Sequence, residues 1–347
     1  MRTFAIIAAV GTASALELSV DSLTSTTVSV TEKFSTFKSR FAKVYKDAAE
    51  ELHALENFIG NEKIIVESNA QGKTYTLGHN QFSDLSWAEF KKLYLSSPMP
   101  VREQKNVDLS LLSAPKINVG ADAKDWTTLG AVTPVKNQGQ CGSCWSFSTT
   151  GALEGAYEIK YGTLESFSEQ NFVDCDNRKG GGKDMGCNGG LMDNAFDWAA
   201  KNGGVCLEAD YPYTSGDTKK AGTCDQSQCT KNANVAPKSH TDVKKNSDDA
   251  MMSALAQQPV SIAIQADQKD FQLYTSGVFT GDCGAQLDHG VLAVGYGTQS
   301  GTDFYKVKNS WGTTWGASGY ILLGRGSEYN NGAGQCGMLS SASYPNL

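Results

Sequence analysis

The chain has 347 residues, more than one average domain and enough to bury a large core. Its formal net charge is −7 and its pI is near 5.2, with no basic stripe. This excludes a nucleic-acid-binding surface built on phosphate contacts. Nine cysteines fit an oxidising compartment, and because nine is odd, at least one lies outside any disulfide of the monomer.

Residues 1–15 are predicted to be a secretory signal peptide. Arg2 precedes an apolar run from Phe4 to Val10, and Ala13-Ser-Ala15 is a small-x-small cleavage pattern. The run is too short to span a bilayer, and no later run approaches that length. We therefore expect a soluble monomer of the secretory pathway, delivered to a lysosome or vacuole lumen or to the extracellular space.

The N-terminal third is predicted to be mainly helical. From Glu32 to Asn69, apolar side chains recur at helical spacing, which is typical of an ordinary helical hairpin. A strand is predicted at Thr74–Leu77. A short helix follows at Ser86–Tyr94, where Ser86 and Glu89 form a capping box.

A stretch with two cysteines, Gln138-Gly-Gln-Cys-Gly-Ser-Cys-Trp145, precedes a long apolar-faced segment. The spacing predicts a helix from Cys144 to Tyr161, with Gly162 as its stop. Cys144 then lies at the helix N-terminus, where the macrodipole and the backbone N–H groups favour a thiolate. The sequence therefore predicts a reactive cysteine.

Three alternatives also fit the Cys-x-x-Cys spacing. A redox pair needs a preceding strand of a parallel sheet, and a zinc knuckle needs a second pair of ligands. Neither context is present, because Thr127–Gln140 is polar and turn-rich. A structural disulfide that uses both Cys141 and Cys144 stays open at this point.

Further along, the pattern changes from helical to strand-rich. The glycines between Cys175 and Cys187 lack the Lys-Ser/Thr pair of a phosphate loop and indicate a disulfide-tied surface loop. A helix is predicted at Leu191–Lys201, and strand-like alternation begins after Pro259. The fold class is therefore α+β: a helical half that carries the thiol, a twisted antiparallel sheet or barrel, and a cleft between them.

A cysteine nucleophile needs a general base, and only His240 and His289 remain once the residues before about Gly120 are removed. His240 lies in a polar stretch typical of a solvated loop, whereas His289 begins an apolar strand. A turn at Thr298–Gly301 brings Asn309 nearly opposite His289, where its amide oxygen can hold the second ring nitrogen. The sequence favours His289.

Six short motifs occur in a fixed order. They are Gln138-Gly-x-Cys-Gly-Ser-Cys-Trp145, Gly186-Cys-Asn-Gly-Gly190, Tyr211-Pro-Tyr213, Asp288-His289-Gly, Lys308-Asn-Ser-Trp-Gly312 and Trp315-Gly316. In this order they resemble the papain family of cysteine peptidases, in its cathepsin L-like branch. Two upstream motifs resemble that family's propeptide, namely Gly78-x-Asn-x-Phe-x-Asp84 and the interspersed Glu50, Phe58, Asn61, Ile65 and Asn69, where Ala54 stands in place of the usual arginine.

The resemblance implies a two-lobed papain-like fold and a role for each matching residue. Cys144 is the nucleophile, His289 the base and leaving-group acid, and Asn309 the residue that orients His289. The side-chain amide of Gln138 and the backbone N–H of Cys144 form the oxyanion hole. Trp311 shields the hydrogen bond between His289 and Asn309 from water.

The resemblance also implies how a substrate binds. Gly190 leaves room for the substrate backbone. We call the pocket for the side chain two residues before the scissile bond the specificity pocket; its matching positions are Leu191, Met192, Ala263, Leu287, Gly290 and Ser341. These residues are mostly apolar and none is charged, so leucine or phenylalanine is expected over arginine.

Four disulfides are implied by the resemblance. Three are pairs of the family, and the fourth joins the two cysteines that remain; they are Cys141–Cys187, Cys175–Cys224, Cys283–Cys336 and Cys206–Cys229. Cys144 stays outside them. Eight cysteines allow 105 pairings, so spacing alone selects none.

Together these features predict a preproenzyme with a signal peptide at 1–15, an inhibitory propeptide at 16–113 and a peptidase domain at 114–347. The residues from Ser96 to Ser113 are polar and irregular, as in a linker that is open to cleavage. The expected activity is that of an endopeptidase that needs no cofactor or metal. Expected partners are polypeptide substrates, the propeptide as an intramolecular inhibitor, and cystatin-like inhibitors, with no nucleic acid and no membrane.

Two rival functions are weighed. A catalytically inactive peptide-binding or inhibitor protein would be expected to lose a catalytic residue, yet all four are present. An exopeptidase needs a block at one end of the cleft. The histidine-bearing insertion of cathepsin B-like enzymes is missing, because no histidine lies between Cys144 and His240.

Overall fold

The computed structural model describes residues 30–95, 98–99, 104–108 and 123–347. The predicted signal peptide and the predicted boundary at 113/114 lie outside these residues. Within the described ranges, no helix is both long enough and apolar enough to cross a membrane.

The helices are concentrated in the N-terminal and middle parts of the chain. Residues 30–40 form α1. The others are α2 (Ala48–Asn69), α3 (Trp87–Tyr94), α4 (Cys144–Tyr161), α5 (Glu169–Cys175), α6 (Met192–Lys201), α7 (Ser215–Thr218), α8 (Asp248–Gln257) and α9 (Lys269–Gln272). The strands are β1 (Tyr75–Leu77), β2 (Lys124–Asp125), β3 (Ser239–Asp242), β4 (Val260–Ile264), β5 (Tyr274–Phe279), β6 (His289–Gln299), β7 (Thr302–Lys308), β8 (Tyr320–Gly324) and β9 (Ala342–Asn346).

The strands form one sheet in the order β1-β5-β8-β7-β6-β4-β9-β3, and β2 pairs with β6. The α+β class is confirmed, but two details of the prediction are wrong. The sheet is open, with β1 and β3 at its edges, so it does not close into a barrel. It is also mixed, because β5 and β8 run parallel, with Val278 beside Leu322.

Helix α4 spans Cys144–Tyr161, as predicted, and ends at Gly162 in the left-handed conformation that glycine favours. Residues 144–156 are all buried. The helix packs closely on β6, since a Cβ atom built on Gly151 would lie 2.8 Å from Cδ2 of Leu292. This close packing holds the middle of α4 against β6.

The predicted helical hairpin and capping box are both present in the N-terminal part. Helices α1 and α2 pack through a small aromatic core in which Phe34, Phe37 and Phe58 are buried. Ser86 caps α3 by accepting from the Glu89 backbone N–H, and the Glu89 side chain accepts from the Ser86 N–H in return. These helices therefore fold as the local pattern predicts.

Strand β1 attaches this N-terminal part to the main sheet. It pairs antiparallel with β5, Tyr75 facing Gly277. A Cβ atom on Gly277 would lie 2.3 Å from the carbonyl oxygen of Thr74, so the close approach requires glycine. The strand was predicted, but its partner, two hundred positions away, was not.

The hairpin of β6 and β7 has a tighter turn than predicted. Only Ser300 and Gly301 separate the strands, both with positive φ (50° and 80°), as in a type I′ turn. A bulge follows between Ala293 and Gly295, where β2 approaches so closely that a Cβ atom on Gly295 would lie 2.1 Å from the Lys124 carbonyl oxygen. Because of the tighter turn and the bulge, the pairing register of β6 with β7 differs from the predicted one.

Candidate active site

Cys144 is the first residue of α4 and is completely buried. It belongs to none of the disulfides, which join Cys141–Cys187, Cys175–Cys224, Cys206–Cys229 and Cys283–Cys336. These are the four pairs that the resemblance implies, and the alternative disulfide between Cys141 and Cys144 is absent. The thiol thus lies where the helix dipole stabilises a thiolate.

His289 and Asn309 form a hydrogen bond of 2.8 Å between Nε2 and Oδ1. The same Oδ1 accepts from the Ser310 backbone N–H at 2.8 Å, which identifies this atom as the amide oxygen. Because an amide oxygen only accepts, Nε2 carries the hydrogen and Nδ1 is the basic nitrogen. The pair therefore fixes both the orientation and the tautomer of His289.

Trp311 covers this pair. Its ring stacks on the His289 ring with 4.6 Å between centroids and 25° between planes. Both His289 and Trp311 are fully buried. In this dry environment the hydrogen bond to Asn309 is stronger than it would be in water.

Gly290 brings the start of β6 against the nucleophile. A Cβ atom on Gly290 would lie 3.3 Å from the carbonyl carbon and oxygen of Cys144. The backbone of Gly290, which follows His289, therefore passes close to the backbone of Cys144. Burial lowers the pKa of His289 to about 4, although its bond to Asn309 opposes the shift.

Gln138 is held by contacts on every polar group of its side chain. Oε1 accepts from Ser310 Oγ at 2.7 Å, and Nε2 donates to the Cys141 carbonyl oxygen at 3.0 Å. Nε2 also lies 3.4 Å from the carbonyl oxygen of Tyr94, a residue of α3. The Gln138 amide group is therefore fixed in orientation, and its nitrogen faces two peptide carbonyl oxygens.

Residues 120–346 match the family described as papain family cysteine protease, and residues 34–90 match the cathepsin propeptide inhibitor domain (I29). The chain belongs to the papain family. Cysteine protease XCP2 of Arabidopsis thaliana is 44% identical over 315 residues, which cover 90% of this chain and 85% of that protein. Senescence-specific cysteine protease SAG39 of Oryza sativa subsp. japonica is 40% identical over 316 residues, 88% of this chain and 87% of that protein.

Solved precursor structures share the fold. Recombinant stem bromelain precursor superposes with a TM-score of 0.80 at 36% identity, over 92% of this chain and 99% of that one. Digestive procathepsin L 3 of the Tenebrio molitor larval midgut gives a TM-score of 0.77 at 36% identity, with the same coverage. The protein is therefore a papain-family cysteine protease with its propeptide in place, and the predicted family is confirmed.

The propeptide covers the catalytic end of the cleft. Phe82 and Phe90 pack edge-on against Trp311, with ring centroids 5.5 and 5.3 Å away. The side chain of Gln81 donates to the Trp311 carbonyl oxygen at 2.6 Å. The carbonyl oxygen of Tyr94 also contacts Gln138. Together these contacts are those of an intramolecular inhibitor of a papain-family protease.

The propeptide also contacts residues at the predicted specificity pocket. The Met99 backbone N–H donates to the Leu287 carbonyl oxygen at 2.6 Å. Met99 is buried in the same apolar cluster as Met192, Ala263 and Leu287, against which Leu191 packs. An apolar side chain of the propeptide thus lies among residues that the resemblance assigns to the specificity pocket.

The other predicted substrate-binding positions lie around this cluster. Gly190 leaves no space for a side chain, because a Cβ atom would lie 2.5 Å from the Trp145 ring. Ser341 is half-buried, and its carbonyl oxygen accepts from the Ala263 N–H at 2.9 Å.

His240 lies far from the nucleophile and not in the predicted loop. It is in β3, which β9 and β4 separate from β6. Its Nδ1 lies 3.2 Å from Asp197 Oδ1, and Nε2 lies 3.4 Å from the side-chain nitrogen of Asn106. The loop assignment is wrong because the alternation of Ser239–Asp242 was too short to identify as an edge strand.

Two contributors to the site were missed from the sequence. Ser310 positions both Gln138 and Asn309, and its place between Asn309 and Trp311 in a recognised motif was an available signal. Asp184 accepts from the Leu191 backbone N–H at 3.0 Å and so holds the segment that carries Gly190. No local pattern marks this second role.

Proposed function

We propose that the protein is the zymogen of an endopeptidase that uses Cys144, His289 and Asn309 as its catalytic residues and Gln138 in its oxyanion hole. The propeptide extends to about Ser113, and the peptidase domain follows it. The observation that carries the proposal is the buried pair of His289 and Asn309, which leaves Nδ1 of His289 without a hydrogen-bond partner among the described residues, at the start of a strand that passes close to the Cys144 backbone. A Cys–His nucleophile needs a ring nitrogen that is free to accept the thiol proton, and Nδ1 is that nitrogen here.

Each step uses a group that is already oriented. The Cys144 thiolate attacks the carbonyl carbon of the scissile bond, and the resulting oxyanion accepts hydrogen bonds from Gln138 Nε2 and the Cys144 N–H. The imidazolium of His289 donates its Nδ1 proton to the leaving amine, which departs and leaves a thioester. A water molecule, deprotonated by His289, then attacks the thioester, and cleavage of the C–S bond releases the carboxylic acid product and restores the Cys144 thiolate beside protonated His289.

The specificity pocket selects a bulky apolar side chain. Burial of a leucine or phenylalanine side chain contributes about 1.5 to 3 kcal/mol, whereas a cation there would lose its hydration without a partner. Met99 supports this assignment, because it buries an apolar side chain in the same cluster. Once the propeptide has left, Gly190 would lie along the substrate backbone beside this pocket.

The direct test is labelling by a thiol-reactive epoxide peptide with leucine in the specificity position. We expect the acid-processed protein to be labelled at Cys144 and the intact zymogen to be labelled far more slowly. Cys144→Ala provides the control. A processed protein that binds the peptide yet neither reacts with the epoxide nor cleaves substrates would instead be the inactive peptide-binding relative.

A further inference from the structure

The outer edge of strand β3 is covered by residues 104–108 of the predicted propeptide. Along its inner edge β3 pairs with β9. Along its outer edge Val107 lies beside Asp242 in a parallel bridge, and the Asp242 N–H donates to the Asn106 carbonyl oxygen at 3.1 Å. The propeptide therefore extends the main sheet in the way that an extended peptide adds to an open strand edge.

Asp242 makes several of the contacts on this edge. Its Oδ2 accepts from the Lys105 N–H at 2.9 Å and from the Asn106 N–H at 3.1 Å. With the propeptide in place, Asp242 is only 7% exposed. The two donors and the Asn106 carbonyl oxygen are main-chain groups, so any extended polypeptide without proline at these positions can supply the same three bonds.

The chain just after β3 offers further main-chain partners. The Val243 carbonyl oxygen accepts from the side-chain nitrogen of Gln104. The Lys245 N–H donates to the side-chain oxygen of the same glutamine at 3.1 Å. In the zymogen one propeptide amide thus pairs with two backbone groups of the peptidase domain. When the propeptide leaves, these groups and the Asp242 carboxylate lose the partners that they have here.

This edge lies next to the predicted specificity pocket. Asp193 follows Met192 of that pocket in the sequence. A carboxyl oxygen of Asp193, a ring nitrogen of His240 and a carboxyl oxygen of Asp242 all lie within 4.8 Å of one another. The Ser343 hydroxyl of β9 donates to Asp193 and so ties the start of α6 to the sheet. A chain that leaves the pocket on this side therefore meets Asp242 within a short distance.

The course of the propeptide indicates which part of a substrate reaches β3. After Tyr94 at Gln138, the propeptide places Met99 at the pocket and Lys105, six positions later, at Asp242. The pocket takes the side chain two residues before the scissile bond, so a substrate reaches β3 with residues N-terminal to that side chain. It then runs in the opposite direction to the propeptide. Edge strands pair with chains of either direction, and a carboxylate accepts N–H bonds from both.

We propose that in the mature enzyme the edge of β3 is an exosite, a second binding site beyond the specificity pocket, for the N-terminal part of a polypeptide substrate. Asp242 accepts from main-chain N–H groups of the substrate about five to eight residues before the specificity position, where an extended chain arrives at about 3.3 Å per residue. The favoured substrates are long, extended polypeptides rather than short peptides. This inference rests on the proposed function, because it takes the specificity pocket as a substrate site.

The test compares the cleavage of peptides of different length by the processed enzyme. Two end-blocked peptides share a leucine in the specificity position and the same scissile bond, and the long one carries about ten more uncharged residues, none of them proline, at its N-terminus. We expect KM to be about tenfold lower for the long peptide and kcat to be unchanged, because a contact so far from the reacting atoms stabilises ground state and transition state equally. A long peptide that is N-methylated throughout the added segment lacks the N–H donors and should behave like the short one.

Variants of the strand edge identify the group responsible. Asp242→Ala should remove the advantage of the long peptide, while its unchanged kinetics on the short peptide show that the variant is folded. Asp242→Asn keeps an acceptor oxygen without the charge and should retain about a threefold advantage. Asp249→Ala removes an exposed carboxylate from α8 and should retain the full advantage. If Asp242→Ala fails to fold, the N-methylated peptide and the wild-type enzyme still decide the question.

Equal kcat/KM of the long and short peptides with the wild-type enzyme would overturn the proposal, and the edge of β3 would then serve the propeptide alone. An advantage that persists in Asp242→Ala, or with the N-methylated peptide, would overturn it as well. Failure of the proposed function has a different result, because the wild-type enzyme would then cleave neither peptide.

Discussion

His289 is the residue whose protonation state we expect the propeptide to change. In the zymogen it is fully buried, and its pKa is lowered to about 4, so the ring is neutral above that pH. A thiolate–imidazolium pair needs the protonated ring. We expect removal of the propeptide to admit water to the site and to raise the pKa of His289, so that activation would also supply the protonated ring.

We expect His289→Ala in the processed enzyme to lower kcat by at least about a thousandfold, because the base and the ion pair are lost together. His240→Ala is the matched control and should change kcat less than about twofold, since β3 lies three strands from β6 in the sheet order. Steady-state cleavage of a leucine-containing peptide measures both. Equal losses in the two variants would contradict the assignment of the base.

Ser341 is the residue for testing the specificity pocket. We expect kcat/KM to be at least about tenfold higher for leucine or phenylalanine than for arginine in that position, because the pocket offers a cation no partner. Ser341→Glu should narrow the difference by supplying one. The control Ser341→Gln introduces a side chain of similar size without the charge, and it should leave the preference for leucine unchanged. Faster cleavage of the arginine substrate by the unmodified enzyme would show that the pocket is not apolar.

At the scale of elements, the sequence predicted the features that depend on residues close together in the chain. Helix α4 and the capping box of α3 follow from spacing and from side chains three residues apart, and both were found as predicted. The hairpin of β6 and β7 was only partly predictable. Its turn depends on Ser300 accepting a positive φ, and its bulge depends on β2, whose approach at Gly295 no local pattern shows.

Helix α3 is the element that fastens the propeptide over the catalytic residues. Phe90 is fully buried and packs on Trp311, so Phe90→Ala should cost about 3 to 5 kcal/mol, shared between propeptide folding and docking. We expect the zymogen variant to mature at a higher pH than the wild type. Gel analysis of processing against pH measures this.

Ile59→Ala is the control for that experiment, because Ile59 lies on α2 and is 42% exposed. Its processing should match the wild type. If Phe90→Ala zymogen also followed the wild-type pH dependence, the contact with Trp311 would not be what holds the propeptide in place.

At the scale of the whole molecule, the sequence did not indicate how distant parts combine. The open sheet begins with β1 of the propeptide beside β5, and the parallel contact of β5 with β8 joins segments some forty residues apart. The site itself was better predicted, because Cys144, His289, Asn309 and Gln138 lie in recognisable motifs. Asp184, which accepts from the Leu191 N–H, lies in a loop whose fold depends on a close approach at Gly190, which spacing does not reveal.

Acid should release the propeptide through several groups whose pKa values are shifted in the docked state. Lys33 and His79 lower the pKa of Glu62 against the opposing effect of burial, and contacts with Ser86 and His53 lower that of Glu89 to about 2. Carboxylates of this kind stabilise the fold above their ordinary pKa, and the stability is lost as the pH falls towards the lowered value. His79 acts in the same direction, because burial lowers its pKa, so its protonation below about pH 6.5 opposes the docked form.

We therefore expect maturation at about pH 4 to 5 and little at about pH 7.5, with cleavage between about Ser113 and Asp122. His79→Gln removes one acid-sensitive group and should shift half-maximal processing down by about half a pH unit. His53 provides a matched control of opposite sign: its bond to Glu89 raises its pKa, so it stabilises the propeptide at low pH, and His53→Gln should shift processing slightly upward. Amino-terminal sequencing and band intensities across the pH series measure both effects. Identical pH dependence of His79→Gln and wild type would show that burial of this imidazole does not contribute to the acid response.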